Sequence, residues 1–164
     1  MTISNYFHIS TFFIYDPIEF LNQTSSSATA LRGACKKMKL SEKAKTLIDG
    51  RNFGNLAFVT PSGNPHVSPV WVDRDEDVIL INAADFRAKV RLLKPGQKIM
   101  LSVMDQQNPY KKVLIRGHVL EITKNGALDH NNRLSMKYLG TTEDPDRPIA
   151  DRVMIRIQPD NIVD

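Results

Sequence analysis

The chain is built from short β-rich segments, and most of the links between them are too short for a crossover connection. Parallel neighbouring strands need a connection of a dozen or more residues, whereas antiparallel neighbours need only a tight turn. The sequence therefore predicts a mainly β fold, an antiparallel barrel with short helices at the joins. Six segments have the pattern of strands: 55–60, 66–73, 78–82, 98–104, 111–123 and 152–157.

Short helices are predicted over residues 86–94 and 125–138, and after Ser41. Ser41 is a suitable N-cap, Ala44, Leu47 and Ile48 share one face, and Gly50 ends the first helix.

At two residues, the predicted strands should depart from regular pairing. Pro69 has no N–H to donate, so it should lie at an edge or a bulge. Gly117 favours a bend or bulge in the fifth strand.

The net charge of +4 has two interpretations. One is a cytoplasmic protein with a small anionic ligand, and the other is a nucleic-acid-binding protein. We favour the first, without nucleic acid, because lysine and arginine are spread along the chain and aromatic residues are few. No run of residues is long and apolar enough for a membrane span. The four histidines share no metal-ligand spacing, so no metal site is expected.

Residues 1–37 differ from the rest of the chain, and they include the polar run TSSSATA. We interpret them as an N-terminal extension, disordered or preceding the native start of translation, and residues 38–164 as the folded domain. The alternative is a docking segment that uses the apolar side chains of Phe12, Phe13, Ile14 and Tyr15 against a partner.

The segment ILINAADFRAKVRLL, residues 79–93, predicts a phosphate site. A strand ends there, and Arg87 and Lys89 follow at the start of a short helix. Cations beside the free N–H groups of a helix N-terminus favour a phosphate. The alternative is that both side chains belong to a solvated helix face.

Three blocks resemble the split-barrel flavin and deazaflavin proteins related to pyridoxamine 5′-phosphate oxidase. The resemblance is strongest to the small single-domain branch that uses coenzyme F420. The family patterns LATV…DGxPxVSPVWF, NTAxxRxKVRNL and ALSVxDPxNPYxxVxVRG are similar to segments of this chain, which are 56–60 with 66–73, 82–93 and 100–117.

The resemblance implies a six-stranded split barrel that forms a homodimer, with cofactor grooves at the interface. Arg87 and Lys89 would hold the cofactor phosphate. The other implied contacts are Pro69, Val70 and Trp71 along the ring system, Asn82 and Ala83 at the ribityl chain or phosphate, and Tyr110 near the groove.

Some of these residues have alternative roles. Trp71 is the only tryptophan, and alone it would be assigned to the core or a dimer interface. A tyrosine hydroxyl can hydrogen-bond a substrate carbonyl, which makes Tyr110 a weak candidate catalytic donor. For Tyr138 and for His66, packing or an ordinary strand position is favoured over catalysis.

The implied function is hydride transfer between bound coenzyme F420 and a small conjugated acceptor, such as a quinone or an enone. The alternatives are an enzyme dependent on flavin mononucleotide (FMN) and a non-catalytic carrier of flavin, deazaflavin or heme. Two departures from the family stand out. Leu92 replaces an asparagine, and the C-terminal segment with which true pyridoxamine 5′-phosphate oxidases hold their substrate is missing. We therefore expect an activity other than vitamin salvage.

Overall fold

A computed structural model describes residues 37–142 and 151–163, and six strands and three short helices form within them. The strands are β1 (Phe53–Val59), β2 (Pro65–Asp75), β3 (Val78–Ala84), β4 (Lys98–Met104), β5 (Lys112–Thr123) and β6 (Arg152–Val163). The helices are α1 (Glu42–Asp49), α2 (Ala88–Leu92) and α3 (Ala127–Leu139). The N-terminal segment interpreted as an extension lies outside the described residues, apart from Lys37.

The strands close into a barrel in the order β1-β2-β3-β6-β5-β4, and every neighbouring pair is antiparallel. The predicted six-stranded antiparallel barrel is confirmed. Strand β4 has the predicted bounds, and the other strands differ from their predicted ends by between one and six residues.

Alternate side chains of the strands fill the barrel. Burial alternates along β1 and β4, so one face of each strand turns inward. Each aliphatic side chain that is fully buried contributes about 1.5–3 kcal/mol relative to an exposed one. The largest fully buried aliphatic side chains are Ile48, Leu56, Val72, Ile79, Ile81, Leu101, Val103, Ile115, Leu134, Ile155 and Ile157.

Helix α1 forms as predicted. The Ser41 side chain accepts a hydrogen bond from the Ala44 amide at 3.2 Å, which caps the helix N-terminus. The Gly50 amide donates to the Thr46 carbonyl at the other end. Leu47 and Ile48 join the main hydrophobic cluster, so the apolar face of α1 packs onto the barrel.

Strand β6 is six residues longer than predicted. The extension contains Pro159, which cannot donate to a ladder. In the structure Pro159 lies opposite Gly117, where the register between β5 and β6 shifts. The predicted irregularity at Gly117 is present as a register shift, but its extra residue, Asp160, is on β6, and pairing with β5 continues to Val163.

Helix α2 is shorter than predicted, and β3 is longer. Strand β3 continues through Ala84 because its last residues pair with the start of β6. Arg87 then has an extended backbone and stands at the N-cap of the five-residue helix. Helix α3 begins two residues later than predicted, at Ala127.

Pairing between β2 and β3 is incomplete. Strand β2 pairs with β3 only over Val72–Asp75, whereas it pairs with β1 over Pro65–Trp71. The first half of β2 is therefore an edge within the barrel wall. Pro69 lies in this half, so the predicted edge position is confirmed.

The close packing behind Gly117 generates a prediction for stability. A Cβ at this position would lie 2.5 Å from the Gln158 carbonyl oxygen. We expect Gly117→Ala to lower the free energy of unfolding by about 1–3 kcal/mol, the usual cost of overpacking. Urea denaturation measures this. The control Lys112→Ala, at an exposed position of the same strand, should change stability by less than about 0.5 kcal/mol. Equal stability of the two variants would contradict the packing.

Candidate ligand-binding groove

A groove of about 600 Å³ opens where β2 and β3 diverge. Its volume is in the range of pockets that hold small molecules and cofactors. The walls come from the unpaired half of β2, the end of β3, α2 and the start of β6, with single residues from β1 and α3. The lining residues are Phe53, His66, Ser68, Pro69, Val70, Trp71, Asn82, Ala83, Ala84, Arg87, Ala88, Lys89, Asn131 and Arg152.

Three cationic side chains line this groove, and no carboxylate is among its described lining residues. Arg87 is exposed, and Lys89 is half-buried with its Nζ donating to the Pro69 carbonyl oxygen at 3.3 Å. Burial, followed by repulsion from Arg87, lowers the pKa of Lys89 below its ordinary value. An anion would relieve both costs, so the groove is suited to a negatively charged group.

Arg152 is the third cation, and Asn82 holds it in place. Its Nε donates to Oδ1 of Asn82 at 2.8 Å. The Asn82 amide is buried, and its Nδ2 donates to the Ala127 carbonyl at 2.7 Å. Sequence reasoning missed Arg152 because this contact spans 70 positions and depends on the pairing of β3 with β6. Asn82 therefore orients a cation in addition to lining the groove.

Aromatic side chains form the apolar end of the groove. The Trp71 ring is stacked on Tyr138 with centroids 5.0 Å apart and an interplanar angle of 2°. The Phe53 ring lies 5.5 Å from Tyr138. The Tyr138 hydroxyl donates to the Asn52 carbonyl at 2.6 Å and accepts from the Val72 amide at 3.1 Å. Tyr138 thus packs and supports Trp71, the role that the sequence favoured.

Two polar atoms of the lining have no hydrogen-bond partner within the described part of the chain. They are Nε2 of His66 and Oγ of Ser68, and both are shielded from solvent. A buried polar atom without a partner costs free energy, and native proteins rarely leave one. Because both atoms are shielded from solvent, a ligand in the groove would reach them only if their side chains rotated.

A family model described as pyridoxamine 5′-phosphate oxidase matches residues 40–163. The chain belongs to the pyridoxamine 5′-phosphate oxidase family. The resemblance inferred from the three sequence blocks is confirmed. No protein of curated function matches the chain.

Solved structures of similar fold support this membership. A protein named F420 reductase is 29% identical, with a TM-score of 0.65 over 76% of this chain and 98% of that chain. General stress protein 26 from Bacillus anthracis is 22% identical, with a TM-score of 0.51 over 74% and 89%. The conserved hypothetical protein Rv2991 from Mycobacterium tuberculosis is 22% identical, with a TM-score of 0.58 over 77% and 85%. The latter two likenesses show the fold alone.

Seven of the eight residues that the family resemblance implicated line the groove. The structure brings these residues together from β2, β3 and α2, although they are separated along the sequence. Their roles toward a cofactor stay predictions. The seven residues are Pro69, Val70, Trp71, Asn82, Ala83, Arg87 and Lys89.

Tyr110 is the eighth residue, and it does not line the groove of this chain. It lies in the loop between β4 and β5, and 92% of its surface is exposed. Side-chain oxygens of Asp105 and Asn108 accept backbone N–H groups within the same loop, which gives it a defined shape. A role for Tyr110 near a cofactor stays a prediction.

The helix N-terminus contributes less to the groove than the sequence suggested. Helix α2 has five residues, so few peptide dipoles are aligned. The Arg87 amide is also already used, because it donates to the Ala84 carbonyl at 3.0 Å. The positive character of the groove therefore comes mainly from its three cationic side chains.

The described residues contain no cluster of three or more His, Cys, Asp or Glu side chains placed to hold a metal ion. Among the same residues, no helix has the length and apolar character needed to cross a membrane.

The Tyr138 hydroxyl provides a test of the aromatic wall. We expect Tyr138→Phe to lower the free energy of unfolding by about 1–3 kcal/mol, because two buried backbone groups lose a partner. Chemical denaturation measures this. Emission from the single Trp71 should stay close to that of the wild type while the variant is folded, because the stacked ring is retained. An unchanged free energy of unfolding would show that the hydroxyl does not join these segments.

Proposed function

We propose that this protein is an oxidoreductase that binds coenzyme F420 in the groove. It transfers a hydride between the cofactor and a small conjugated acceptor, such as a quinone or an enone. The observation that carries the proposal is the combination of three cations, without a carboxylate among the described lining residues, and an aromatic wall in one groove. A planar redox ring that carries a phosphate has complementary chemistry at both ends.

The residues of the groove divide the work of holding such a molecule. Arg87, Lys89 and Arg152 bind the phosphate, and Trp71 with Pro69 lies along the ring. When bound, the ring supplies the hydride chemistry, and the protein contributes orientation and electrostatics. Packing against the apolar wall excludes water from the ring face.

Polar edges of the ring need partners that are otherwise rare in an apolar wall. His66 and Ser68 supply them after a side-chain rotation that brings their Nε2 and Oγ atoms, which are shielded and without a partner among the described residues, to the groove. The proton delivered to a reduced acceptor comes from Tyr110 or water. Tyr110 is too exposed in one chain to act alone, and the proposal therefore places it next to a groove formed by two chains.

Coenzyme F420 is favoured over FMN for two reasons. The 29% identical structure is named F420 reductase. The net charge of +4 also suits the additional negative charges of the F420 tail. FMN is the second candidate, because the phosphate of either cofactor fits the same three cations.

Anaerobic mixing tests the enzymatic part of the proposal. The purified protein is mixed with chemically reduced F420, or with reduced FMN, and a panel of quinones and enones. Oxidation of the cofactor that depends on both protein and acceptor supports the enzyme. Binding without oxidation across the panel would favour a carrier, and binding of neither cofactor would reject the proposal.

Two copies of the chain are proposed to associate through a second, apolar groove. This groove has a volume of about 480 Å³ and shares His66 with the first. At its rim Val59 and Val67 are 59% and 64% exposed, which is unusual for neighbouring valines on a strand pair.

The proposed association predicts that a charge introduced into the second groove lowers the mass of the protein in solution. Val67→Asp should convert a homodimer to monomers in analytical ultracentrifugation, because a carboxylate would be desolvated at the apolar contact. Leu128→Asp is the matched control, since Leu128 is 56% exposed and lies on α3, outside this groove. A monomeric wild type, or equal effects of the two variants, would reject this interface.

Lys89 provides the first test of the cation groove. Lys89→Ala should weaken F420 or FMN binding by about 1.5–3 kcal/mol, the value of a hydrogen bond to a charged group. Quenching of Trp71 emission or isothermal titration calorimetry measures the dissociation constant. Arg91→Ala is the matched control, because Arg91 is an exposed cation of the same helix that does not line the groove. Equal losses in both variants would indicate a diffuse charge effect instead of a site.

The lowered pKa of Lys89 predicts the pH dependence of binding. A bound anion favours the ammonium form of Lys89 and raises its pKa, so the contribution of Lys89 to affinity is fully present at low pH. The affinity falls as the pH rises through the pKa that Lys89 has in the free protein, which lies below 10.5. The affinity ratio of Lys89→Arg to wild type should therefore increase as the pH is raised toward 10.5, because arginine stays charged. Titration of the ligand affects both proteins equally, so it does not change this ratio. A ratio that stays constant with pH would contradict the role of Lys89.

A further inference from the structure

A series of buried and partly buried polar side chains leads away from the groove, and the function proposed above does not use its inner half. It begins at Arg152, whose Nε donates to Asn82. The Nδ2 atom of Asn82 lies 3.4 Å from Nδ1 of His130, a residue with 0% of its surface exposed. On the other side of the ring, Nε2 of His130 lies 3.5 Å from Oδ2 of Asp73. The four side chains come from β6, β3, α3 and β2.

The hydrogen bonds determine which way the Asn82 amide faces. Its oxygen must face Arg152, because the guanidinium has only donors. Its nitrogen therefore faces the Ala127 carbonyl and His130, and both of these must accept. An imidazole nitrogen accepts only when it carries no proton. Nδ1 of His130 must be bare, and the proton of the neutral ring must be on Nε2, toward Asp73.

We propose that His130 is a positioning residue that, as the neutral Nε2–H tautomer, holds Asn82 and through it Arg152 in the anion-binding geometry. This inference rests on the function proposed for the groove. His130 does not line the groove, and it acts only through Asn82. A proton on Nδ1 would set two N–H groups against each other and favour rotation of the amide. The rotated amide would present its nitrogen to Arg152 and lose the hydrogen bond that orients the guanidinium.

The charged groups around His130 are compatible with this tautomer. Asp73 faces Nε2, and it is the carboxylate among the four side chains of this series. Burial raises the pKa of Asp73, but hydrogen bonds from His130 and the Arg74 amide, with the charge of Lys137, outweigh it and leave the pKa below its ordinary value. Asp73 is thus an ionised carboxylate on the Nε2 side of the ring, at 3.5 Å and without a formed hydrogen bond.

The tautomer can be observed directly in the full-length protein without a ligand. Nitrogen-15 NMR of histidine-labelled protein, with His130→Asn used for assignment, distinguishes a bare nitrogen from a protonated one. We expect a bare Nδ1 and a protonated Nε2 at pH 7 to 8. A protonated Nδ1, as the other tautomer or as imidazolium, would overturn the proposal. This result does not depend on whether any cofactor binds.

Two substitutions test the effect on the groove with FMN and F420 as probes. In His130→Asn, the Oδ1 atom takes the place of Nδ1 as an acceptor, whereas His130→Leu has no acceptor there. His130→Leu should weaken binding roughly tenfold, as should Arg152→Gln, near the low end for a charge-assisted hydrogen bond. His130→Asn should bind within about threefold of the wild type, because the acceptor is restored.

The outcomes separate this proposal from the function on which it rests. Both His130 variants binding like the wild type, or both losing affinity equally while folded by circular dichroism, would overturn it. If His130→Leu does not fold, two other results decide. Wild-type affinity in His130→Asn together with a bare Nδ1 supports the proposal, and the loss of either one rejects it. If the wild type binds neither probe, the proposed function fails, and the NMR result still decides which tautomer positions Asn82.

Discussion

The whole site depends on strand β2 leaving β3 early. Hydrogen-bond pairing between them stops at Val72, and from there β2 follows β1 while the end of β3 follows β6. The wall of the barrel opens at that point without breaking the core, because Val72 and Ile81 remain fully buried. Pro69 suits the resulting free edge, since it has no N–H to leave unpaired. A fully paired β2 and β3 would place a ladder where the groove now lies.

The neighbouring positive charges of Arg87 and Lys89 at this opening are unfavourable for the empty protein. Burial and Arg87 lower the pKa of Lys89, and the carbonyl of Pro69 is a weak substitute for an anion. Arg152 is oriented by a buried amide that has both its oxygen and its nitrogen engaged. An arrangement that costs stability and is rigidly supported is typical of a binding site, where interactions are completed only when the ligand arrives.

The sequence was sufficient for features that depend on local pattern. Short links predicted the antiparallel barrel, and Pro69 and Gly117 predicted an edge and a bulge. It was insufficient where two distant segments satisfy each other. His130 and Asn131 are polar residues of α3, yet both are buried, and His130 lies against Asn82 and Asp73. Arg152 had no signal as a groove cation, because only the pairing of β3 with β6 brings it to Asn82. The end of β6 was missed because an extra residue on β6, Asp160, lets pairing with β5 continue past Pro159.

The central claim is that the groove binds a phosphate joined to a planar ring. The most direct test compares FMN with riboflavin, which has the same ring and ribityl chain but no phosphate. Titration of the protein with each, followed by the emission of Trp71, gives two dissociation constants under identical conditions. The account predicts that FMN binds at least about tenfold more tightly, the value of one charge-assisted hydrogen bond, and that added salt reduces the difference. Equal affinities would contradict it, because the three cations would then have no phosphate to hold.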